Sequence, residues 1–480
     1  MTTPAPAQLP IAPELLRALA ERAGRPDFPR LQAQLRSTGY CARPVRLRGR
    51  IEICDRHGHR HVWSTDSEPD GVLRKACGNR REAICPPCAE RYRGDAYQLI
   101  AAGLRGGKGV PDTVVEHPAL FCTLTAPSFG LVHSRPLGSD GRTRRCRPRR
   151  DAAVCEHGVR LSCSAVHDED DPCLGEPLCG ECFDHAGAVV WNNALGELWR
   201  RTTIYVPRAL ARLTGMRQKA LRELVRVSYI KVAEYQRRGL VHLHVVIRLD
   251  RAMPAYRVAE VKPPPARFGV ELLEDALVCA AAEVSAPIPH EADGGRVHWG
   301  QQLDVRQLER DERRDVAGYL AKYATKSTEL AGGVLHRVAE HQVDELQIRE
   351  HVRAYIREAF TLNSEPELAD RRFGAYAHAL GYRGQCLTKS RRYSTTFKAL
   401  REARERHVQE QLLARSRDPV QRALPVPSSG WRASGTPGRG ISQPATRSWP
   451  PRRPREHETT GDWRAMAGRG VSGGWEGGPQ

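Results

Sequence analysis

Apolar side chains recur with two different periods along the chain, and the change of period separates the strands that we predict from the helices. Alternating or densely β-branched runs predict strands at residues 120–126, 226–235, 240–249 and 297–306. Apolar residues three and four positions apart predict helices at residues 191–221, 270–284 and 312–329. Because only a short turn separates the second and third runs, we expect them to pair as a hairpin. The pattern therefore predicts an α+β fold.

The chain is strongly basic, with 75 Lys and Arg against 56 Asp and Glu and a formal net charge of +19. Such an excess favours nucleic acid as a partner, since binding to a polyanion releases counterions. An Arg-rich composition is also typical of a GC-rich genome, so charge alone leaves the partner open. We find no cleavable N-terminal segment and no apolar run of about 18 residues, and we expect a cytoplasmic protein with no membrane partner.

Fourteen cysteines in a protein expected in the cytoplasm favour metal ligation over disulfides. Two clusters in the sequence each offer the four ligands of a structural zinc site. The first predicted set is Cys54, Cys77, Cys85 and Cys88. The second predicted set is Cys155, Cys163, Cys179 and Cys182. We therefore predict two zinc ions per chain.

The fourth ligand of the first set is open. His57, His59 and His61 compete with Cys54 for that place. Six further cysteines are assigned to neither set: Cys41, Cys122, Cys146, Cys173, Cys279 and Cys386.

The strand predicted at residues 240–249 places two histidines on one face. Successive side chains of a strand point to opposite faces, so His242 and His244 share one side while Val241 and Leu243 share the other. Hydrogen-bonded histidines on a half-exposed sheet are the structural alternative. Because imidazole is the commonest metal ligand, two of them on one face favour a metal site.

The helix predicted at residues 312–329 carries a stripe of alternating tyrosines and lysines. Tyr319, Lys322, Tyr323 and Lys326 occupy positions i, i+3, i+4 and i+7, which lie on one side of a helix. Tyrosines on a helix are more often core residues. Ammonium groups resist burial, however, so this stripe makes a poor core and a suitable nucleophilic surface.

Three motifs in order along the chain resemble those of the HUH endonucleases. They are FCTLTAPS, HLHVV and GYLAKYATK. Within that class the chain resembles the initiators of rolling-circle replication, and above all those of actinobacterial plasmids and integrative elements. The likeness to that family extends to CRPRRD, GELWRRTTIY, VAEYQRRG and TKSRRYSTTF, and so covers most of residues 41–410.

The resemblance implies an HUH-type antiparallel sheet with helices on one face, interrupted by the two zinc-bound modules. It also implies an enzyme that nicks one DNA strand at an origin, forming a 5′-phosphotyrosyl link and a 3′-OH primer. Tyr319 matches the first tyrosine of the motif, Lys322 its lysine and Tyr323 a second tyrosine. The pattern also fits Tyr323 with Lys326, so the order of the two tyrosines is open. A lysine beside the phenol is expected to lower its pKa.

The resemblance further suggests Glu234 as a carboxylate ligand beside His242 and His244, with Mg²⁺ or Mn²⁺ as the catalytic ion. Hairpin geometry decides whether Glu234 reaches that site. With a four-residue turn at 236–239, Glu234 faces Val241 on the apolar side. A three- or five-residue connection, or a bulge, moves it to the histidine face, because a one-residue slip exchanges the faces. We predict this second arrangement.

The chain is thus expected to contain five segments. They are an N-terminal helical extension (1–40), a first zinc module with a helix (41–110), a nicking domain (111–330) with a zinc-binding insertion (146–187), a helical basic region (331–418) and a disordered tail (419–480). The residues expected to contact DNA are Lys326, Lys389, Arg391 and Arg392. A solvated basic helix is the alternative for the last three.

The expected partners are origin DNA, single-stranded or in a hairpin, and host replication proteins such as a helicase and a polymerase. Two other functions remain open. A relaxase or transposase would use the same chemistry. A zinc-containing DNA-binding regulator would explain the charge and the cysteines, but it would need neither the histidine pair nor the tyrosine stripe.

Overall fold

The computed structural model describes residues 12–54, 60–151, 153–254, 260–288 and 295–415. It divides into two units, Met1–Phe129 with Asp184–Phe397 and Gly130–Phe183 with Lys398–Gln480. The tail predicted to be disordered at 419–480 lies outside the described residues. Within the described ranges, no helix is both long enough and apolar enough to cross a membrane.

Helices and strands alternate along the chain as the hydrophobic pattern predicts. The helices are α1 (Pro13–Ala23), α2 (Phe28–Ser37), α3 (Pro86–Arg105), α4 (His185–Leu213), α5 (Gln218–Leu224), α6 (Val270–Glu283), α7 (Arg313–Tyr323), α8 (Glu350–Ser364) and α9 (Phe397–Arg415). The strands are β1 (Val45–Leu47), β2 (Arg50–Cys54), β3 (Arg60–Ser64), β4 (Leu73–Lys75), β5 (Ala119–Leu124), β6 (Val225–Tyr235), β7 (Val241–Arg251), β8 (Ser285–Pro287), β9 (Arg296–His298), β10 (Leu303–Gln307) and β11 (Leu387–Lys389).

A five-stranded antiparallel sheet forms the centre of the first unit, with strand order β10-β5-β7-β6-β11. The predicted strands at 120–126, 226–235 and 240–249 are confirmed as β5, β6 and β7. The strand predicted at 297–306 is wrong, because the chain divides there into β9 and β10. Gly300 lies between them, and a side chain at that position would collide with the backbone of Ala126.

Two predicted helices also differ from the structure. The helix predicted at 191–221 is two helices, since α4 ends before Gly215, which adopts a left-handed φ of 65°. Helix α7 ends at Tyr323 instead of continuing to residue 329, and a 3₁₀ turn (Thr328–Ala331) follows. Both tyrosines of the predicted stripe remain within α7.

Helices cover both faces of the sheet, and the expectation of helices on one face is wrong. The ring of Trp199 in α4 lies 5.0 Å from that of Tyr229, which points away from the histidines of β7. The ring of Tyr319 in α7 lies 5.2 Å from that of His244 on the opposite face. Residues of β7 on both faces are fully buried, such as Leu243 and Val246, and this apolar surface requires cover on each side.

A buried ionic network closes the far end of β7. Arg248 donates to both carboxylate oxygens of Asp250, from Nε at 2.7 Å and from Nη2 at 3.0 Å. His117 Nδ1 lies 2.8 Å from the same carboxylate, the Ser228 hydroxyl donates to it at 2.6 Å, and Arg248 also donates to the carbonyl of Tyr393 at 3.3 Å. Burial would raise the pKa of Asp250, but the hydrogen bond with His117 and the Arg248 charge outweigh it and hold that pKa well below its usual range.

We predict that Asp250→Asn strongly destabilises the chain. The substitution leaves the guanidinium of Arg248, which is fully buried, without its counter-charge, and the expected loss in the free energy of unfolding is about 3–5 kcal/mol. Urea unfolding of the full chain measures it. The control is Glu283→Gln, which breaks an exposed ion pair with Arg212 and should leave the midpoint nearly unchanged. Equal midpoints for the two variants would contradict the prediction.

Candidate active site and metal centres

The register of the β6–β7 hairpin places Glu234 on the histidine face. Five residues, 236–240, connect the strands, so that Tyr235 pairs with Val241 and Glu234 pairs with His242. The amide of Gln236 donates to the carbonyl of Leu240 at 2.8 Å, and Gly239 supplies the left-handed φ of 84° that this turn requires. The predicted five-residue alternative is therefore confirmed.

The three side chains meet at a single carboxylate oxygen. Glu234 Oε2 lies 2.8 Å from His242 Nε2 and 2.6 Å from His244 Nε2. The hydroxyl of Thr123 lies 3.1 Å from His244 Nδ1, a contact that fixes the orientation of the imidazole ring. One oxygen and two imidazole nitrogens directed at one point are a donor set that suits a divalent cation such as Mn²⁺.

Burial and hydrogen bonding together set the charges at this site. Burial would raise the pKa of Glu234, but the hydrogen bonds with His242 and His244 outweigh it and lower that pKa. Burial lowers the pKa of His244, and the neighbouring His242 lowers it further. Near neutral pH Glu234 is therefore an anion and His244 is uncharged, which are the forms that bind metal ions.

Both tyrosines of α7 lie beside this cluster. The Tyr319 hydroxyl is 3.5 Å from His244 Nε2. The ring of Tyr323 lies 4.7 Å from the ring of Tyr319 and 5.6 Å from that of His244, measured between centroids. Residues four apart share one side of a helix, so α7 presents both phenols to the metal-ligand face of the sheet. The hydroxyl oxygen of Tyr319 reaches the cluster.

The lysines of the stripe take different positions from the tyrosines. Lys322 is exposed, with its Nζ 6.0 Å from the centroid of the Tyr323 ring. Lys326 forms an ion pair with Glu82 at 3.1 Å. The expectation that lysine lowers the pKa of the phenol is wrong for Tyr319, because burial raises that pKa and the neighbouring Tyr323 and Glu234 raise it further.

Strands β5 and β10 contribute residues that the sequence analysis missed. Thr123 pairs with His244, and Asp304 pairs in turn with Thr123, so all three lie on the same face of the sheet. Arg306 is two residues further along β10 and acts to lower the pKa of Tyr319, against the stronger effect of burial. Thr123 lies within the motif FCTLTAPS, but only the strand order, which the sequence does not reveal, brings it against His244.

The residues expected to bind DNA differ in their surroundings. The ammonium of Lys389 is half-buried and donates to three backbone carbonyls, those of Ser390, Arg391 and Ser394 at 3.3, 3.4 and 2.9 Å. These contacts tie the ammonium to its own loop, and the DNA contact expected of Lys389 stays a prediction. Arg391 is exposed, and Arg392 is partly exposed.

The first cysteine group contains Cys41 beside Cys77, Cys85 and Cys88. The sulfurs of Cys41 and Cys85 are 3.7 Å apart, as are those of Cys77 and Cys88. The amide of Cys77 donates to the Cys41 sulfur at 3.3 Å. The fourth member is thus a cysteine that the sequence analysis left unassigned, far upstream of the other three. The side chains of Cys54, His57, His59 and His61 lie outside the described residues.

The second predicted set is wrong in one member, because the structure separates Cys163 from the other three. His157 takes its place, with its Nδ1 3.2 Å from the sulfur of Cys182 and 3.7 Å from that of Cys179. A tight turn, in which the amide of Gly158 donates to the carbonyl of Cys155 at 2.9 Å, presents His157 beside Cys155. The signal in the sequence for this ligand is the Cys-x-His spacing of Cys155 and His157.

The separations between these ligand atoms fit tetrahedral zinc. With zinc–sulfur bonds of ~2.3 Å and zinc–nitrogen bonds of ~2.0 Å, the edges of the tetrahedron are about 3.8 Å between two sulfurs and about 3.6 Å between sulfur and nitrogen. The sulfur–sulfur distances of 3.7 Å in the first group agree closely, and the sulfur–nitrogen distances of 3.2 and 3.7 Å in the second lie on either side of the ideal edge.

Comparison with known proteins identifies the family. The family model described as "Replication initiator protein, pSAM2" matches residues 27–449. A replication initiator protein of Streptomyces ambofaciens is 41% identical over 407 residues, which are 82% of this chain and 83% of the relative. No solved structure matches the chain. With a family model and a close relative that both span most of its length, the chain belongs to the family of replication initiator proteins typified by that of pSAM2.

Proposed function

We propose that this replication initiator nicks one strand of its origin DNA through a tyrosine nucleophile and so begins rolling-circle replication. The observation that carries the proposal is the position of the Tyr319 hydroxyl, 3.5 Å from Nε2 of His244, at the edge of the cluster formed by Glu234, His242 and His244. A nucleophile beside a set of cation ligands is the arrangement that phosphodiester cleavage requires. This fold would be that of an HUH endonuclease.

Glu234, His242 and His244 would hold the catalytic cation, Mg²⁺ or Mn²⁺. When bound, the ion polarises the scissile phosphate and stabilises the charge that develops on it. Thr123 orients the ring of His244 through its contact with Nδ1. The low pKa of Glu234 keeps its carboxylate charged for this task near neutral pH.

The reaction conserves the energy of the broken bond. The phenolic oxygen of Tyr319 attacks phosphorus and loses its proton to solvent, and the bond from phosphorus to the 3′ oxygen breaks. That oxygen gains a proton and becomes the 3′-OH primer, while the phosphate remains linked to Tyr319 at the 5′ end. Reversal of the same step rejoins a strand without ATP.

The position of Tyr323 supports a second cleavage by the same site. Its ring packs at 4.7 Å from that of Tyr319, on the same side of α7. After one round, Tyr323 could attack the regenerated origin while Tyr319 carries the DNA. Because the hydroxyl of Tyr319 contacts His244, we assign the first attack to Tyr319.

The remaining basic residues and the cysteine groups would support DNA binding. Arg391, Arg392 and Lys326 are the proposed phosphate contacts, and a helicase and a polymerase of the host would extend the primer. Structural zinc would stabilise the Cys41 and Cys155 groups. Membership of a replication initiator family favours an initiator over a relaxase or a transposase of the same chemistry.

We predict that Tyr319→Phe abolishes the covalent protein–DNA adduct. The substitution removes only the attacking oxygen and keeps the ring that packs against His244 and Phe121. The assay uses single-stranded origin DNA labelled 5′ of the nick and 3′ of the nick in separate reactions, followed by denaturing electrophoresis. With the unaltered chain, only the label on the 3′ side of the nick should move with the protein. With Tyr319→Phe, neither label should do so.

The matched control is Tyr323→Phe, which should retain the first adduct and lose only a second cleavage on a two-site substrate. If Tyr323→Phe loses the first adduct and Tyr319→Phe keeps it, the order of the two tyrosines is reversed. If the double variant still forms the adduct, neither residue is the nucleophile.

We predict that Glu234→Gln weakens Mn²⁺ binding by at least about tenfold. Removing a residue that only supports a metal ligand already costs about that much affinity. The amide has nearly the same shape but no charge, so the hairpin register should persist. Titration calorimetry with the full chain measures the affinity, and nicking across a Mn²⁺ series should show the same shift. Asp304→Asn is the control, because Asp304 lies on the same face of the sheet with two strands between it and Glu234. Equal Mn²⁺ affinity in Glu234→Gln and the unaltered chain would refute its role as a ligand.

We predict that Cys41→Ser releases one zinc ion per chain and that Cys54→Ser releases none. The thiolate of Cys41 completes the tetrahedral group with Cys77, Cys85 and Cys88. Elemental analysis of freshly purified protein measures the ratio of zinc to protein. A loss of zinc in Cys54→Ser with retention in Cys41→Ser would restore the ligand set predicted from the sequence.

A further inference from the structure

The second unit contains a further group of metal-ligating side chains. The ligand atoms of His133, Cys146, Cys163 and His167 all lie within 4.8 Å of one another. Cys163 is the residue that the sequence analysis assigned to another set, and the other three were assigned to none. We propose that these four residues bind a third structural zinc ion.

Three separations between these ligand atoms lie near the edges of a zinc tetrahedron. His133 Nδ1 and His167 Nε2 are 3.3 Å apart, and His167 Nε2 is 3.5 Å from the sulfur of Cys163. The sulfur of Cys146 lies 3.9 Å from His133 Nδ1. A zinc ion with ~2.0 Å bonds to nitrogen and ~2.3 Å bonds to sulfur requires about 3.3 Å between nitrogens and about 3.6 Å between nitrogen and sulfur.

Backbone hydrogen bonds hold the two cysteines in place. Arg147 and Cys163 exchange N–H···O bonds of 2.8 and 2.9 Å, and the amide of Cys146 donates to the carbonyl of Ala165 at 2.8 Å. This antiparallel pairing brings Cys146 next to Cys163 and directs Cys163 away from Cys155. In addition, the amide of Ser134 donates to the sulfur of Cys146 at 3.2 Å, a bond that holds this sulfur in place.

The other ring nitrogen of His167, Nδ1, has a carboxylate partner, as is usual for a histidine that binds zinc. His167 Nδ1 lies 2.8 Å from the carboxylate of Asp171. Histidines that bind metal usually donate their other N–H to a carboxylate, which fixes the tautomer and directs the free nitrogen at the ion. Here the directed nitrogen is Nε2, the atom that faces His133 and Cys163.

A rival site on the other side of His167 is less suitable. Asp171 and Cys173 lie with His167 Nδ1 in a three-membered group. However, the Cys173 sulfur is 2.7 Å from Asp171 Oδ1, so its thiol donates to that carboxylate. Zinc binding there would require this thiol to give up its bond to Asp171, and Asp171 already accepts the N–H of His167. We therefore place Asp171 and Cys173 outside the ligand set, and of the two only Asp171 positions His167.

The segment that contains the group has little core of its own. Apart from cysteines, its buried hydrophobic residues among the described positions of 130–183 are Val132, Leu174 and Phe183. With so few buried apolar side chains, the segment gains little free energy of folding from burial. Metal binding supplies the missing free energy, because in such modules it is coupled to folding.

The ratio of zinc to protein in the full chain tests the proposal. We expect three zinc ions in the unaltered chain, two in Cys163→Ser and three in Cys173→Ser, which changes a neighbouring thiol of the same segment. The double variant Cys155→Ser/Cys163→Ser should contain one, because the two cysteines belong to different ions. The ratio of zinc to protein is also measured in Glu234→Gln, to exclude zinc held at the proposed active site. The result of this test then does not depend on whether the chain nicks DNA.

Two zinc ions in the unaltered chain would overturn the proposal without any variant, and so would a loss of zinc in Cys173→Ser. Should the serine variants unfold the whole segment, cobalt reconstitution of the unaltered chain decides. Three cobalt ions with tetrahedral absorption bands support the site. Saturation at two cobalt ions contradicts it.

Discussion

The register of one hairpin determines whether Glu234 can join His242 and His244 in the proposed catalytic cation site. Five residues connect β6 to β7, and that number places Glu234 opposite His242. With one residue fewer, the carboxylate would lie among the apolar side chains of the opposite face. The turn is held by Gly239, whose φ of 84° few other residues tolerate. It is also held by Tyr355 and His351 of α8, which contact the carbonyl of Arg238 at 2.9 and 3.1 Å.

Strand β7 is fixed at both ends by buried polar contacts. The turn contacts lie at one end, and the pair of Arg248 and Asp250 lies at the other, where it joins the sheet to His117. Between these ends the strand is almost completely buried. A cation site and a nucleophile must keep their separation within a fraction of an ångström to be useful, and a strand fixed at both ends provides that stability for His242 and His244.

The sequence predicted what depends on local pattern and missed what depends on long-range pairing. Alternation within β7 revealed the shared face of His242 and His244, and helical spacing revealed the shared side of Tyr319 and Tyr323. The predicted grouping of cysteines is wrong for Cys163, because residues near one another in sequence are not always near in space. Cys163 pairs backward with Arg147 instead of forward with the later cysteines, and a bridge of that kind leaves no trace in spacing.

The pKa of Tyr319 in α7 depends on the carboxylate of Glu234 in β6. Burial, the adjacent phenol of Tyr323 and the negative charge of Glu234 all raise the pKa of Tyr319. The phenol therefore stays protonated and is a poor nucleophile near neutral pH. A cation bound at Glu234 would offset the last of these effects, so in the proposed reaction the carboxylate that would hold the cation would also hold back Tyr319 until the site is filled. Such an effect requires the proposed ligand and the proposed nucleophile to lie on facing elements. Here these elements are β6, which carries Glu234, and α7, which carries Tyr319.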